Sequence, residues 1–310
     1  MFDLPKTRED FLYILGGSTL CVFLFLGGQL YPPLFMIVSN LVQLPLLCLG
    51  LSRGTSSQFY ASIITFLILC LGTTFLGGLF FSLVSLAPAF ILTASALTID
   101  PKREDLGYQY SPGQVLSHLL IYMIVLLVFF MVLFQFKTNG QLSYDVFIKD
   151  RLIDMAPENL KFQYQKGAEI LVKLLSFVFC SAALLTTLVN FFLAQTILVK
   201  NQKNLRATPF MSEIRLPWWI WIALAVYGIL IFILSGVGSQ FFLNASLILG
   251  FGFFFEGLSV IHTLHQHYGF QRMFLWLFYF VMVLFVWPIF FVIGLGVFEP
   301  WIKLRERRAL

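Results

Sequence analysis

The sequence predicts an all-α integral membrane protein, a polytopic transmembrane helix bundle of about eight spans with a ninth candidate. Three observations carry that prediction. Hydrophobic residues fill 59% of the 310 positions, and mean hydropathy is +0.88. Only 11% of residues are charged, against about 25% in soluble domains. Apolar runs of about 18 residues or more recur along the chain, each long enough to carry a helix across roughly 30 Å of hydrocarbon. Charged side chains collect between these runs or at their ends, and Glu256 is the exception.

In chain order the runs fall near 11–30, 33–52, 58–79, 81–99, 115–136, 170–198, 217–237, 241–262 and 273–298. The short turn signals at Tyr31-Pro32-Pro33, Gly77-Gly78 and 235–240 make neighbouring spans antiparallel hairpins. Trp218, Trp219, Trp221 and Trp301 stand at run ends, as interfacial aromatics do. The chain reads as one membrane domain: an N-terminal helical half over 11–136, a connection over 137–167, a C-terminal half over 170–300 and a basic tail over 302–310. The connection mixes Val146, Ile148, Leu152 and Ile153 with charges, which suits an interfacial amphipathic helix ending near Pro157.

Basic residues orient the chain only if one candidate span does not cross simply. The 200–215 loop and the 303–308 tail both carry cytoplasmic-type charge, yet an odd number of runs separates them. The run over 273–298, interrupted at Pro288, is the segment expected to deviate. Eight crossings with both ends cytoplasmic follow.

Composition also excludes functions. The net charge of +5 resides in loops and tail, with no polar domain to carry a nucleic-acid groove. Cys21, Cys48, Cys70 and Cys180 lie within apolar runs without paired spacing, which argues against disulfides and metal knuckles. His262, His265 and His267 have no Cys or acidic residue beside them, so no metal or other cofactor is expected. No phosphate-cradling glycine loop, zinc-helix motif or nucleophile elbow is present, and no enzymatic activity is expected.

The residues that could carry function are polar groups inside apolar runs. Ser176, Cys180, Ala183, Thr187, Asn190 and Ala194 recur at helical spacing and form one stripe, either a packing seam or a polar cavity wall. Gly252, Glu256 and Ser259 share a helix face, with Asn244 on the same run. A carboxylate there costs about 2.5 to 3.5 kcal/mol on insertion scales, so Glu256 must be neutral, paired or in contact with internal water. It either ties two helices together or serves as a solute, ion or proton site. Asn40 and Gln43 precede Leu44-Pro45, and Ser82, Ser85, Ala89, Thr93 and Ala96 form a second small-residue stripe.

The C-terminal stretch adds a resemblance. Asn244, Glu256-Gly257-Leu258-Ser259-Val260-Ile261-His262, then Gly294-Leu295-Gly296-Val297-Phe298-Glu299-Pro300-Trp301 and the basic residues Arg305 to Arg308 resemble the YybS-like family of predicted bacterial membrane proteins. Leu44-Pro45 and the turn at Arg53-Gly54 are compatible with it. The family pattern has Gln-Gly where this chain has Glu256-Gly257, and an acidic residue before the Trp where Pro300 here separates Glu299 from Trp301. That family is distantly similar to the S components of energy-coupling-factor transporters. The resemblance implies a bacterial cytoplasmic (inner) membrane protein that binds a small solute and relies on a separate membrane or ATPase coupling module. Glu256, Ser259, Gly252, Asn190, Thr187, Asn244, Asn40 and Gln43 are the expected solute- or ion-binding residues. The alternative is a non-transporting scaffold or assembly factor in the same bilayer, with 137–167 and the tail as partner surfaces.

Overall fold

Apolar side chains occupy both the interior and the outside of the bundle, and several polar side chains within the spans are fully buried. Phe23, Leu71, Phe232 and Val283 are between 70% and 91% exposed, while Thr187, Asn190 and Asn244 are fully buried. That inversion is expected when the surrounding solvent is lipid. A computed structural model of the chain describes residues 7–30, 38–101, 109–136, 150, 153–154, 161–208, 211–268, 272–285 and 287–305.

The helices are α1 (Arg8–Leu30), α2 (Leu44–Arg53), α3 (Thr55–Gly72), α4 (Phe75–Phe81), α5 (Ala87–Leu97), α6 (Pro112–Phe136), α7 (Lys161–Lys200), α8 (Trp219–Ile233), α9 (Val237–Tyr268), α10 (Arg272–Leu284) and α11 (Trp287–Ile302). Six helical spans are long and apolar enough to cross a membrane, or seven if the bent pair α10 and α11 is one span. The expected count of eight or nine is therefore not reached by length alone. Among the described residues the run at 33–52 yields the 3-10 turn Ser39–Leu41 and the ten-residue α2, and the run at 217–237 yields the 15-residue α8. The run at 273–298 becomes α10 and α11, which meet at 118°.

Local chemistry moves other boundaries. Gly77 and Gly78 lie within α4 rather than in a turn, because Thr74 caps that helix, its Oγ1 accepting the Gly77 N–H at 3.0 Å. A π-helical turn, Ser82–Leu86, joins α4 to α5 just before Pro88. Helix α7 starts at Lys161, not near 170. Its 40 residues make a rod about 60 Å long, roughly twice the hydrocarbon thickness. Tyr31-Pro32-Pro33, most of the 137–160 connection and Arg307 and Arg308 lie outside the described residues.

The main core gathers α6, α7, α8 and α9 around Leu119, Met123, Leu184, Leu249 and Phe253, with parts of α2 and α5. A second cluster joins α1, α2, α3 and α4 through Ile14, Leu46, Ala61 and Phe81. Helices α9 and α11 cross with their backbones in close approach. A Cβ on Gly257 would collide with the Val292 carbonyl, and one on Gly296 with the Phe253 carbonyl. Small residues there let two backbones touch.

One end of the bundle is knitted by contacts between helix termini. Arg53 pairs with Asp10 at 2.9 Å, Leu205 N–H donates to Leu51 O, and Arg206 donates to Ala96 O and Tyr110 O at 2.7 Å each. The start of α1, the ends of α2, α5 and α7, and the segment leading into α8 thus share one face. Burial pushes the Arg206 guanidinium below its ordinary pKa, and the charge of Glu213 opposes that shift.

Candidate functional site

Arg305 turns back into the bundle at this same end. Helix α11 stops after Ile302, and Lys303 adopts a left-handed backbone with φ 52°. Its N–H donates to Glu299 O at 2.8 Å. The Glu299 carboxylate then accepts the next two backbone N–H groups, Oε2 from Leu304 at 3.2 Å and Oε1 from Arg305 at 3.0 Å. A side chain on the last turn of α11 thereby caps the residues after it and reverses the chain.

The reversal delivers the Arg305 guanidinium to a buried site, where its side chain is 5% exposed. Nε donates to Glu299 Oε1 at 3.1 Å and Nη2 to Glu256 Oε1 at 3.1 Å. Nη1 donates to Ser259 Oγ at 3.1 Å and to Ile214 O at 2.9 Å. Glu256 Oε2 accepts the Leu216 N–H at 3.4 Å. Glu256 is therefore paired, not isolated: one arginine joins carboxylates from two helices and the segment preceding α8. Arginine suits this task because its planar fork can serve several acceptors at once.

Beside the cluster is a cavity of about 200 Å³, lined by Arg215, Leu216, Trp218, Trp221, Glu256, Glu299, Pro300, Lys303 and Arg305. Trp221 is held by an Nε1–H bond to Val297 O at 2.9 Å. Trp218 stacks on Trp221 at 5.7 Å and meets Trp301 edge-on at 5.6 Å. A smaller cavity of about 40 Å³ lies against Arg206, but its other lining residues, among them Leu92, Leu188, Phe191 and Phe255, are apolar. The charged cavity is the candidate site.

A match to a family model covers residues 19–299, and the description of that model is a predicted membrane protein, DUF2232. The chain belongs to the DUF2232 family. No curated protein and no solved structure matches this DUF2232 chain.

The eight residues singled out by sequence fall in separate places in the DUF2232 bundle. Glu256 and Ser259 meet at the Arg305 cluster. Gly252, on the same face, instead packs against Leu120. Thr187 Oγ1 donates to Ala183 O within α7, and Asn190 Nδ2 donates to Asn40 O and Thr186 O. Thr186 Oγ1 reaches Asn40 Oδ1 at 3.4 Å. All six stripe residues from Ser176 to Ala194 are buried, and these bonds stay within α7 or tie it to the 3-10 turn at Asn40, away from the charged cavity.

Asn244 bridges two backbone groups one turn apart on α7, accepting from Phe177 N and donating to Lys173 O. Gln43 precedes α2 and is buried, with no hydrogen-bond partner for its Oε1 among the described residues. Sequence reasoning did not single out Arg215, Glu299, Lys303 or Arg305 as site residues. Their shared signal is charge density immediately beyond interfacial tryptophans.

Proposed function

We propose that this DUF2232 chain is a small-solute-binding subunit of the bacterial cytoplasmic membrane. The supporting observation is the charged cavity beside Arg305, set among the interfacial tryptophans. Elsewhere Thr187, Asn190 and Asn244 bond to neighbouring backbone, whereas here charged side chains from three chain segments border open volume. The likeness of the C-terminal stretch to YybS-like proteins, and through them to energy-coupling-factor S components, gives the reading its class. A transporter subunit of that kind would draw energy from a separate ATPase module, and the chain has no phosphate-cradling loop of its own.

The topology belongs to the proposal. The ion pair of Arg53 with Asp10 supports a chain that returns across the bilayer between α1 and α3. Helix α8 begins at the end bearing Arg305 and is followed by α9, which returns to it. With α2 and α8 counted, the chain crosses eight times, and α10 and α11 enter and leave from one face. That face carries Arg8, Arg53, Lys200, Arg206, Arg215 and Arg305, whereas Lys161, Lys166 and Lys173 stand at the start of α7. This charge asymmetry supports a cytoplasmic Arg305 end.

The test is a panel of neutral, cationic and anionic small solutes, read by the unfolding midpoint of the purified protein in detergent. At least one solute should stabilise the wild type and fail on Arg215→Trp, which fills the cavity from its exposed side. Absence of stabilisation by every solute, or equal stabilisation of the blocked variant, refutes the reading. A scaffold role is the competing reading, favoured by the way Arg305 closes the helix ends.

A further inference from the structure

We propose that the cavity takes an oxyanion, a phosphate or carboxylate group, and this rests on the solute-binding reading of the same site. Three cationic side chains, Arg215, Lys303 and Arg305, line it against two carboxylates, Glu256 and Glu299. Both carboxylates already accept N–H donors: Glu299 from Leu304, Arg305 N and Arg305 Nε, and Glu256 from Leu216 N and Arg305 Nη2. A cationic ligand would have to compete with these bonds, and three cationic against two anionic side chains leave the lining one positive charge in excess.

Arg305 supplies a second observation. A guanidinium carries five N–H donors, and four are engaged by Glu299, Glu256, Ser259 and Ile214. Among the described residues the remaining donor, on Nη2, has no acceptor, although the side chain is only 5% exposed and borders the cavity. Buried donors are rarely left unpaired, so an acceptor arriving in the cavity satisfies it. The start of α8 adds to the same field. Its first residues follow Pro217, no side chain caps the helix, and Leu216 and Trp218 line the cavity. The Ile220 and Trp221 N–H groups already donate to Pro217 O and Trp218 O, so the start of α8 contributes the positive end of the helix dipole, which favours an anion there.

The same chemistry could come from a soluble anion or from the headgroup of an anionic lipid, since the tryptophans place the cavity at headgroup depth. Inorganic phosphate is the soluble probe, with unfolding midpoints read in neutral detergent. Phosphatidylglycerol is the lipid probe, read by native mass spectrometry after delipidation, with phosphatidylcholine as the control. One of the two should bind saturably, with affinity falling as ionic strength rises.

Lys303→Gly should weaken that binding about tenfold, equivalent to 1.4 kcal/mol, while leaving the fold intact, because glycine accepts the left-handed backbone at this position. Arg215→Gln should weaken it similarly, and Lys303→Arg should retain it. If neither phosphate nor phosphatidylglycerol binds, or if binding ignores both neutralising substitutions, the oxyanion assignment is overturned. A neutral or cationic solute lost in Arg215→Trp, with no anion bound, would refute this assignment and leave the solute-binding reading standing. Phosphatidylglycerol retained alone would uphold the oxyanion and refute the soluble-solute reading.

Discussion

Replacing Arg305 with Met should be among the most damaging single substitutions in the chain, although only five residues of the sequence follow it. The side chain is 5% exposed, and its partners Glu256 and Glu299 are 2% and 6% exposed at the side chain. Removing one partner of a buried ion pair costs about 3 to 5 kcal/mol, because the remaining charge keeps its desolvation penalty. Here two carboxylates lose their shared cation, and Ser259 and Ile214 lose a donor. Arg305→Lys keeps the charge but not the fork, so roughly 2 kcal/mol should be lost. The triple variant Arg305→Met, Glu256→Gln, Glu299→Gln should recover to within about 1 to 2 kcal/mol of wild type, since neutral replacement of a whole buried cluster is often tolerated. Equilibrium unfolding in mixed micelles, followed by tryptophan fluorescence, measures all three, because Trp218, Trp221 and Trp301 surround the site. A loss under about 1 kcal/mol for Arg305→Met, the range of a solvent-exposed pair, would refute the buried cluster.

Three further outcomes are expected. Gly257→Ala and Gly296→Ala should each cost about 1 to 3 kcal/mol or more, because the new methyl meets a carbonyl of the opposing helix. Gly252→Ala, facing the flexible Leu120 side chain, should cost less in the same unfolding assay, and the reverse order would sink the close-crossing argument. Gln202, with φ 54°, ends α7 in a turn where Lys203 N–H donates to Leu198 O and Gln202 N–H to Val199 O. Gln202→Gly should therefore stabilise by roughly 0.5 to 1 kcal/mol, and a loss of stability would argue against the left-handed cap. For topology, Lys203→Cys and Lys303→Cys, in a background lacking the four native cysteines, should both react from the cytoplasmic face. Labelling from opposite faces would break the eight-crossing assignment.

The membrane class and most helix positions are legible in the sequence because hydropathy is a local property that tracks a contiguous segment. Length along the chain is a poorer guide to crossing. Segment 33–52 reads as a full span, yet its helix α2 has ten residues, whereas the run over 273–298, expected to deviate at Pro288, is two helices that meet at 118°. Glu256 also stands out locally, since a carboxylate within an apolar run always calls for a partner. The partner itself does not stand out: Arg305 is 49 positions away, in a stretch whose composition matches any solvated basic tail.

What converts that tail into core is geometry assembled from three places. Gly257 and Gly296 let α11 cross α9 at backbone contact, which brings Glu299 level with Glu256. Lys303 then reverses the chain, and Glu299 caps the reversal through Leu304 and Arg305. Each step has a signature in sequence, but none points to another until the helices are packed. Glu299 is the connecting element, because the same carboxylate terminates α11 and binds the arginine that the termination redirects. Neutralising it should loosen both the turn and the cluster. Glu299→Gln should therefore expose the backbone amides of Leu304 and Arg305 to hydrogen exchange, whereas Glu256→Gln should leave those two amides protected. Equal protection in both variants would separate the cap from the cluster and remove Glu299 as their link.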